Sequence, residues 1–165
     1  MKVLVPVDGS QAALAALLHV NSLSRSGIAV ETILLNVQPR FHRHVSRFTS
    51  RAARDALRAE RSAAAMAPAI EALSRARQAF WVVAEKGNVA ERIAAVARRE
   101  QVDEIVMGTG RHPQWLRWLN PSIAQAVMQQ TDIPVTVLAR GRAGAMERFV
   151  LPAGLAGLAA LLLAT

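Results

Sequence analysis

Residues 87–109 have the sequence GNVAERIAAVARREQVDEIVMGT, which predicts a capped helix followed at once by a buried strand. Asn88 stands at the N-cap position and Glu91 follows three residues later, as in a capping box. The apolar residues after Glu91 recur with helical spacing, which is typical of an amphipathic helix. The segment DEIVMG at 103–108 then has the composition of a short strand. This stretch therefore supplies a helix and the strand into which the helix leads.

The same alternation extends over most of the chain. We predict strands at residues 2–7, 29–37, 79–87, 103–108 and 132–139, and helices at about 11–24 and 45–77 before the one at 88–101. Strands that alternate with helices indicate a parallel sheet with helices on both faces, because parallel strands need crossover connections. We predict one α/β domain at residues 1–140, followed by a short linker and an apolar C-terminal helix within 141–165.

Composition limits the classes of chemistry that are available. The chain has 165 residues and no cysteine, which excludes disulfides, thiolate metal sites and cysteine nucleophiles. Its formal net charge is +8, and Lys2 and Lys86 are the only lysines. Such a basic excess makes nucleic acid, anionic lipid and phosphorylated ligands possible partners without choosing among them. The first residues form a strand without a signal peptide, so we expect a cytoplasmic protein.

Three segments together resemble the universal stress protein family: VLVPVDGS at 3–10, the stretch at 87–109, and SIAQAVMQQTDIPVTVLA at 122–139. The resemblance covers residues 1–140 and implies a doubly wound five-stranded sheet of order 3-2-1-4-5, usually in a dimer. The fifth strand is the expected pairing element of a homodimer, since an apolar edge must be covered. Asp8 and Gly108 are expected to face each other at the switch point of the sheet, where open α/β sheets bind ligands.

The segment MGTGRHPQWLRWLNPS at 107–122 follows the fourth strand. Members of the family that bind ATP carry Gly-x-x-Gly, nine residues, and then Gly-Ser or Gly-Thr. Gly108 and Ser122 match this pattern, whereas Arg111 and Pro121 replace the second and third glycines. Proline has no N–H group, so one potential phosphate donor is lost, although proline is also common at the first position of a helix. Gly110 could take up the turn one residue early.

The amide groups of Ser122 and Ile123 remain at the start of the predicted helix, where an anion could still bind. ATP, with Mg²⁺, and no cofactor at all are therefore equally plausible. The candidate cofactor-binding residues are Pro6, Val7, Asp8, Val37, Met107, Gly108, Gly110, Arg111, Ser122 and Ile123.

No catalytic or metal-binding set is evident. The histidines His19, His42, His44 and His112 lack the spacing of a metal site. We predict a non-catalytic universal stress protein-like regulator of the stress response, with a weakened or lost ATP site and an unknown protein partner. One alternative is an ATP-binding protein that acts as a nucleotide-dependent switch. The other is a membrane-surface adaptor that uses an arginine-rich helix and an apolar tail.

The arginine-rich helix is the most unusual feature of the composition. Its arginines recur every three or four residues, so a helix would place them on one face, opposite an apolar face. We expect this arginine face to be solvated, with anionic lipid as the alternative contact; nucleic acid is unlikely because few aromatic residues are interspersed. The arginines are Arg40, Arg43, Arg47, Arg51, Arg54, Arg58 and Arg61, and the apolar set is Val45, Phe48, Ala52, Ala56, Ala59, Ala63 and Met66.

The apolar tail at residues 149–165 carries no charge. Its leucines and its small residues form separate stripes at helical spacing, and small-residue stripes favour close helix packing. Seventeen residues lie at the lower end of the range that spans a membrane. Three interpretations stay open: a helix docked on its own domain, a helix that binds a second copy or a partner, and a membrane-attached tail.

Overall fold

The computed structural model describes residues 1–39, 50–109, 121–139 and 149–151. The strands are β1 (Lys2–Pro6), β2 (Glu31–Gln38), β3 (Phe80–Lys86), β4 (Glu104–Thr109), β5 (Val135–Ala139) and β6 (Phe149–Leu151). The helices are α1 (Gln11–Arg25), α2 (Arg51–Arg75), α3 (Val89–Arg99) and α4 (Pro121–Met128).

The sheet has the order β3-β2-β1-β4-β5-β6, and its first five strands are parallel. This confirms the predicted doubly wound arrangement with the order 3-2-1-4-5. The chain runs outward from β1 to β3, returns to β4 and then runs the other way. The switch point consequently lies between β1 and β4, and open α/β sheets have their ligand crevice at the carboxyl ends of the strands at this point.

Each face of the sheet is covered by two helices. Val3 and Val5 of β1, and Val7 just after it, share one apolar cluster with α1 and α2. Leu4 of the same strand lies in the cluster on the other face, with α3 and α4. A strand that buries alternate residues on both sides must be central in its sheet, which explains the nearly continuous apolar sequence of β1.

The long helix α2 begins later than the sequence pattern indicates. Ser50 has an extended backbone, and its hydroxyl accepts a hydrogen bond from the amide of Ala53 at 3.1 Å. This N-cap starts the helix at Arg51 rather than at residue 45. The first arginines of the predicted face, Arg40, Arg43 and Arg47, lie outside the described residues, as do Val45 and Phe48.

The orientation of α2 reverses the expected faces at its N-terminal end. The buried line of the helix passes through Leu73, Ala69, Met66 and Ser62 and continues one turn earlier to Arg58, whose side chain is only 18% exposed. The alanines expected on the buried face are exposed instead; these are Ala52, Ala56, Ala59 and Ala63. The arginine face is therefore not uniformly solvated, because the aliphatic stem of an arginine can cover apolar surface.

The sixth strand, β6, pairs antiparallel with β5 through Val135–Leu151, Thr136–Val150 and Val137–Phe149. The apolar tail was expected to be a helix, but its first three residues form a strand. Residues 152–165 lie outside the described residues. β5 has β4 on one side and β6 on the other. The edge expected to pair with a second copy is occupied, over these three residues, by the chain itself.

The first turn of α1 approaches the sheet very closely at Gly108 of β4. A Cβ atom added to Gly108 would lie 1.8 Å from the carbonyl oxygen of Ala12 and 2.3 Å from its carbonyl carbon. The first turn of α1 therefore rests directly on the backbone of β4. Only a residue without a side chain permits this contact.

We expect Gly108→Ala to lower the free energy of unfolding by about 3 kcal/mol, because the new methyl group overlaps backbone atoms that cannot rotate away. Gly27→Ala is the matched control. Gly27 has a φ of +89° and nothing within 4 Å of an added Cβ, so only backbone strain of about 1 kcal/mol is expected. Urea denaturation of both variants checks this, and equal losses would contradict the packing role.

A second prediction compares two arginines that contact the same carboxylate. Arg58 Nη1 lies 2.7 Å from Asp55 Oδ1, and Arg51 Nε lies 3.9 Å from Asp55 Oδ2 with its side chain 86% exposed. We expect Arg58→Ala to cost about 1–2 kcal/mol through lost stem packing and Arg51→Ala less than about 0.5 kcal/mol. Chemical denaturation distinguishes them; a larger loss in Arg51→Ala would refute the inward placement of Arg58.

Candidate functional site

The turn between β1 and α1 forms one wall of the crevice. Asp8 Oδ1 accepts a hydrogen bond from the amide of Ser10 at 2.9 Å. Ser10 is the N-cap of α1, and its hydroxyl accepts from the amide of Ala13 at 3.1 Å. Gly9 between them has a φ of +80°, and a Cβ there would lie 3.3 Å from Cα of Ala65 in α2. The sequence DGS thus has a structural role, because it turns the chain and starts the helix.

Asp8 also has a second carboxylate oxygen that the turn does not use as a hydrogen-bond acceptor. Its Oδ2 atom is buried and has no hydrogen-bond partner among the described residues. A buried carboxylate oxygen without a donor is costly, so such an atom is a natural acceptor for a ligand hydroxyl or amine. Asp8 Oδ2 is therefore a hydrogen-bond acceptor just after β1 that the described part of the chain does not satisfy.

A buried amide joins β1 to β2 beside this turn. Asn36 is 1% exposed; its Nδ2 donates to the carbonyl oxygen of Val7 at 2.7 Å, and its Oδ1 accepts from Gln38 Nε2 at 2.8 Å. The amide of Val7 donates to the carbonyl of Leu35 at 2.8 Å. Val7, the residue before Asp8, is thus held through both its N–H group and its carbonyl group. The position of Asp8 therefore depends on Asn36.

The opposite wall consists of β4 and the start of α4. β4 is paired with β5 through Gly108–Leu138 and Thr109–Ala139, which places Gly108 at the carboxyl end of the strand. The helix α4 begins at Pro121, as expected from proline's preference for the first helical position. Ser122 and Ile123 follow in its first turn, and Ile123 packs against the core.

The structure brings most of the predicted site residues to one edge of the sheet. Pro6 is the last residue of β1 and is followed by Val7 and Asp8; Val37 lies near the end of β2, and Met107 and Gly108 lie near the end of β4. The side chains of Val7, Val37 and Met107 are buried in the core, so these residues can offer a ligand only backbone groups. Gly110 and Arg111 lie outside the described residues, and the loop between β4 and α4 is therefore known only by its two ends.

Two kinds of site do not occur in the described part of the chain. Within residues 1–39, 50–109, 121–139 and 149–151, no three metal-ligating side chains lie together. None of the helices in those ranges is long and apolar enough to cross a bilayer. His42, His44, His112 and most of the apolar tail lie outside these ranges.

Sequence patterns missed Asn36 as a site residue. Its signal is a single amide within the apolar run TILLNV of β2. A buried polar residue in a central strand needs a hydrogen-bond partner, and the end of the neighbouring strand is where backbone groups lack one. The residue type alone does not identify that partner.

Comparisons with known proteins place this geometry in a family. The sequence model described as "Universal stress protein family" matches residues 1–139. The solved structure of the hypothetical protein MJ0577 is 27% identical and superposes with a TM-score of 0.68, over 86% of this chain and 97% of that one. No curated protein sequence matches the chain significantly.

Two more distant structures contain nucleotides. A universal stress protein family protein from Arabidopsis thaliana with AMP bound is 14% identical, has a TM-score of 0.61, and matches over 86% of this chain and 92% of that one. A universal stress protein in complex with cAMP is 20% identical, with a TM-score of 0.58 over 84% of this chain and 96% of that one. At these identities the likeness shows the fold.

We expect Asn36→Ala to lower the free energy of unfolding by about 2 kcal/mol, since a buried carbonyl loses its side-chain donor. Gln38→Ala is the control. It removes the hydrogen bond from Gln38 Nε2 to Asn36 Oδ1 but leaves the bond from Asn36 to Val7, so it should cost about 1 kcal/mol or less. Thermal and chemical denaturation measure both. A neutral Asn36→Ala variant would show that the Asn36–Val7 bond does not support the turn.

Proposed function

Since the chain belongs to the universal stress protein family, we propose that it is a non-catalytic regulator of the stress response whose adenine-nucleotide site is weakened. The observation that carries the proposal is the start of α4 at Pro121. A helix N-terminus binds phosphate through its free amide groups and its dipole. Proline at the first position supplies no amide, so fewer donors remain for a phosphate group.

The retained glycine does not argue against this weakening. Gly108 is required by the contact of α1 with β4, because a Cβ atom there would overlap the carbonyl of Ala12. A glycine at this position is therefore needed whether or not a nucleotide binds. The other two glycines of the ATP-binding pattern are the positions that now hold Arg111 and Pro121.

A second candidate is the nucleotide-dependent switch, and Asp8 favours it. Its buried Oδ2 has no partner among the described residues, and a ligand hydroxyl would satisfy it. The amides of Ser122 and Ile123 and the positive end of α4 would still attract an anion. Relatives of the same fold bind AMP and cAMP, and ATP with Mg²⁺ would be the corresponding ligand here.

The membrane-surface alternative gains no comparable support. It rests on the arginines before residue 50 and on the tail, and of those segments the structure describes only β6. The arginine that α2 does bury, Arg58, faces inward and pairs with Asp55, so it is not part of an outward basic surface. We propose a cytoplasmic protein that acts through a protein partner.

The test restores the two missing glycines. We expect the full-length chain to bind AMP, cAMP and Mg²⁺-ATP weakly, and Arg111→Gly/Pro121→Gly to bind Mg²⁺-ATP about tenfold or more tightly, since one charge-assisted hydrogen bond contributes about 1.5–3 kcal/mol. Isothermal titration calorimetry measures the dissociation constants. Arg117→Gly serves as the control, because it removes a nearby positive charge without restoring the glycine pattern.

The result separates the two candidates. Weak binding by the natural chain with a gain in the double variant supports the weakened site. Tight binding by the natural chain with no gain in the double variant would refute it and favour the switch. No binding by either chain would mean that the crevice has lost the nucleotide for reasons beyond these two positions.

A further inference from the structure

The outer side of β5 is a surface suited to strand pairing. β5 has the sequence VTVLA, without charge, proline or glycine. Its inner side is fully paired with β4, from Ile105–Val135 to Thr109–Ala139. An uncharged, β-branched strand at the end of a sheet presents a row of N–H and C=O groups that readily accept another strand. Something must therefore cover this side of β5 or be added to it.

The chain supplies a cover of its own. β6 pairs with Val135, Thr136 and Val137, and its register ends before Leu138 and Ala139. The cover is thus three residues long on a strand of five. It runs antiparallel to β5, whereas every other pair in the sheet is parallel. A second copy adding its own strand would need the same backbone groups.

We infer that β6 is a cap in cis that occupies the surface on which a second copy of this chain would otherwise pair, and that it thereby controls the oligomeric state. Two strands cannot use the same N–H and C=O groups of Val135–Val137. The partner is a second copy because the same edge is present on every chain, and a pair of equivalent edges closes with two-fold symmetry. The inference does not depend on whether the crevice binds a nucleotide.

The competition favours the cap at ordinary protein concentrations. Cross-strand pairs are individually weak, and β6 makes only three of them with β5, so β6 is a weak element by itself. It is joined to β5 through residues 140–148, and a short linker gives an effective concentration of about millimolar. A second copy present at micromolar concentration is about a thousandfold more dilute than β6, and this advantage in concentration allows the short cap to compete. Removal of β6 reverses the outcome.

Truncations test the cap against the tail. The four chains are the full chain and chains that end at Leu151, Arg148 and Ala139; residues 1–139 are the range that the family model matches. We expect the first two to be monomeric at micromolar concentration and the last two to dimerise at least tenfold more tightly. Sedimentation velocity measures the dissociation constants, and circular dichroism checks that each chain is folded.

A pair of full-length variants keeps the test independent of truncation. Replacement of Phe149, Val150 and Leu151 by proline removes all three N–H groups and abolishes pairing in either register. Replacement of the same residues by threonine retains the N–H groups and the β propensity, and is the matched control. We expect dimers from the proline variant and monomers from the threonine variant.

Each outcome decides the inference. Dimerisation on loss of β6, in the chain that ends at Arg148 and in the proline variant, supports it. A full chain that is as dimeric as the chain ending at Arg148 would overturn it, since β6 would then not compete. Persistent monomers without β6 would also overturn it, because the outer side of β5 would not take a second copy. Dimerisation that already appears in the chain ending at Leu151, which lacks only residues 152–165, would also overturn it, because the apolar tail rather than β6 would then control the oligomeric state.

Discussion

The contact between the first turn of α1 and the backbone of β4 is the constraint on which the rest of the structure depends. It requires Gly108, because a single methyl group there would occupy the position of the Ala12 carbonyl. The contact draws the start of α1 onto the neighbouring strand of β1, and the Asp8–Ser10 turn is drawn to the switch point with it. The first turn of α1 and β4 meet there without a side chain between them.

This constraint changes how the glycine pattern is understood. A glycine that packing requires carries little information about a ligand. Glycines needed only for contact with phosphate can be replaced when the function depends less on nucleotide binding. Pro121 at the start of α4 is compatible with the fold, since proline is well suited to a first helical position. The fold can therefore be retained while the ligand site weakens, which is why family membership and nucleotide binding are separate questions.

Much of the fold could be predicted because its signals are local. The capping of α3 by Asn88, the apolar strands and the alternation of elements led directly to the parallel sheet, and the resemblance to the universal stress protein family supplied its strand order. The start of α2 was misjudged because the arginine periodicity runs through Ser50, whose backbone is extended and whose hydroxyl caps the helix that begins at Arg51. The faces of α2 were misjudged because periodicity shows that two faces differ, while alanine and arginine stems can each lie on either side.

The candidate site could be predicted only in outline. The element types and their order along the chain followed from hydrophobic spacing and turn residues alone, and the strand ends predicted at Val7 and Gly108 lie within one residue of the observed ends of β1 and β4. Only the tertiary structure decided that Asn36 holds Val7, that Gly108 admits α1, and that β6 covers β5. Each of these contacts joins residues far apart in the chain, and such pairings depend on the packed geometry of several elements at once.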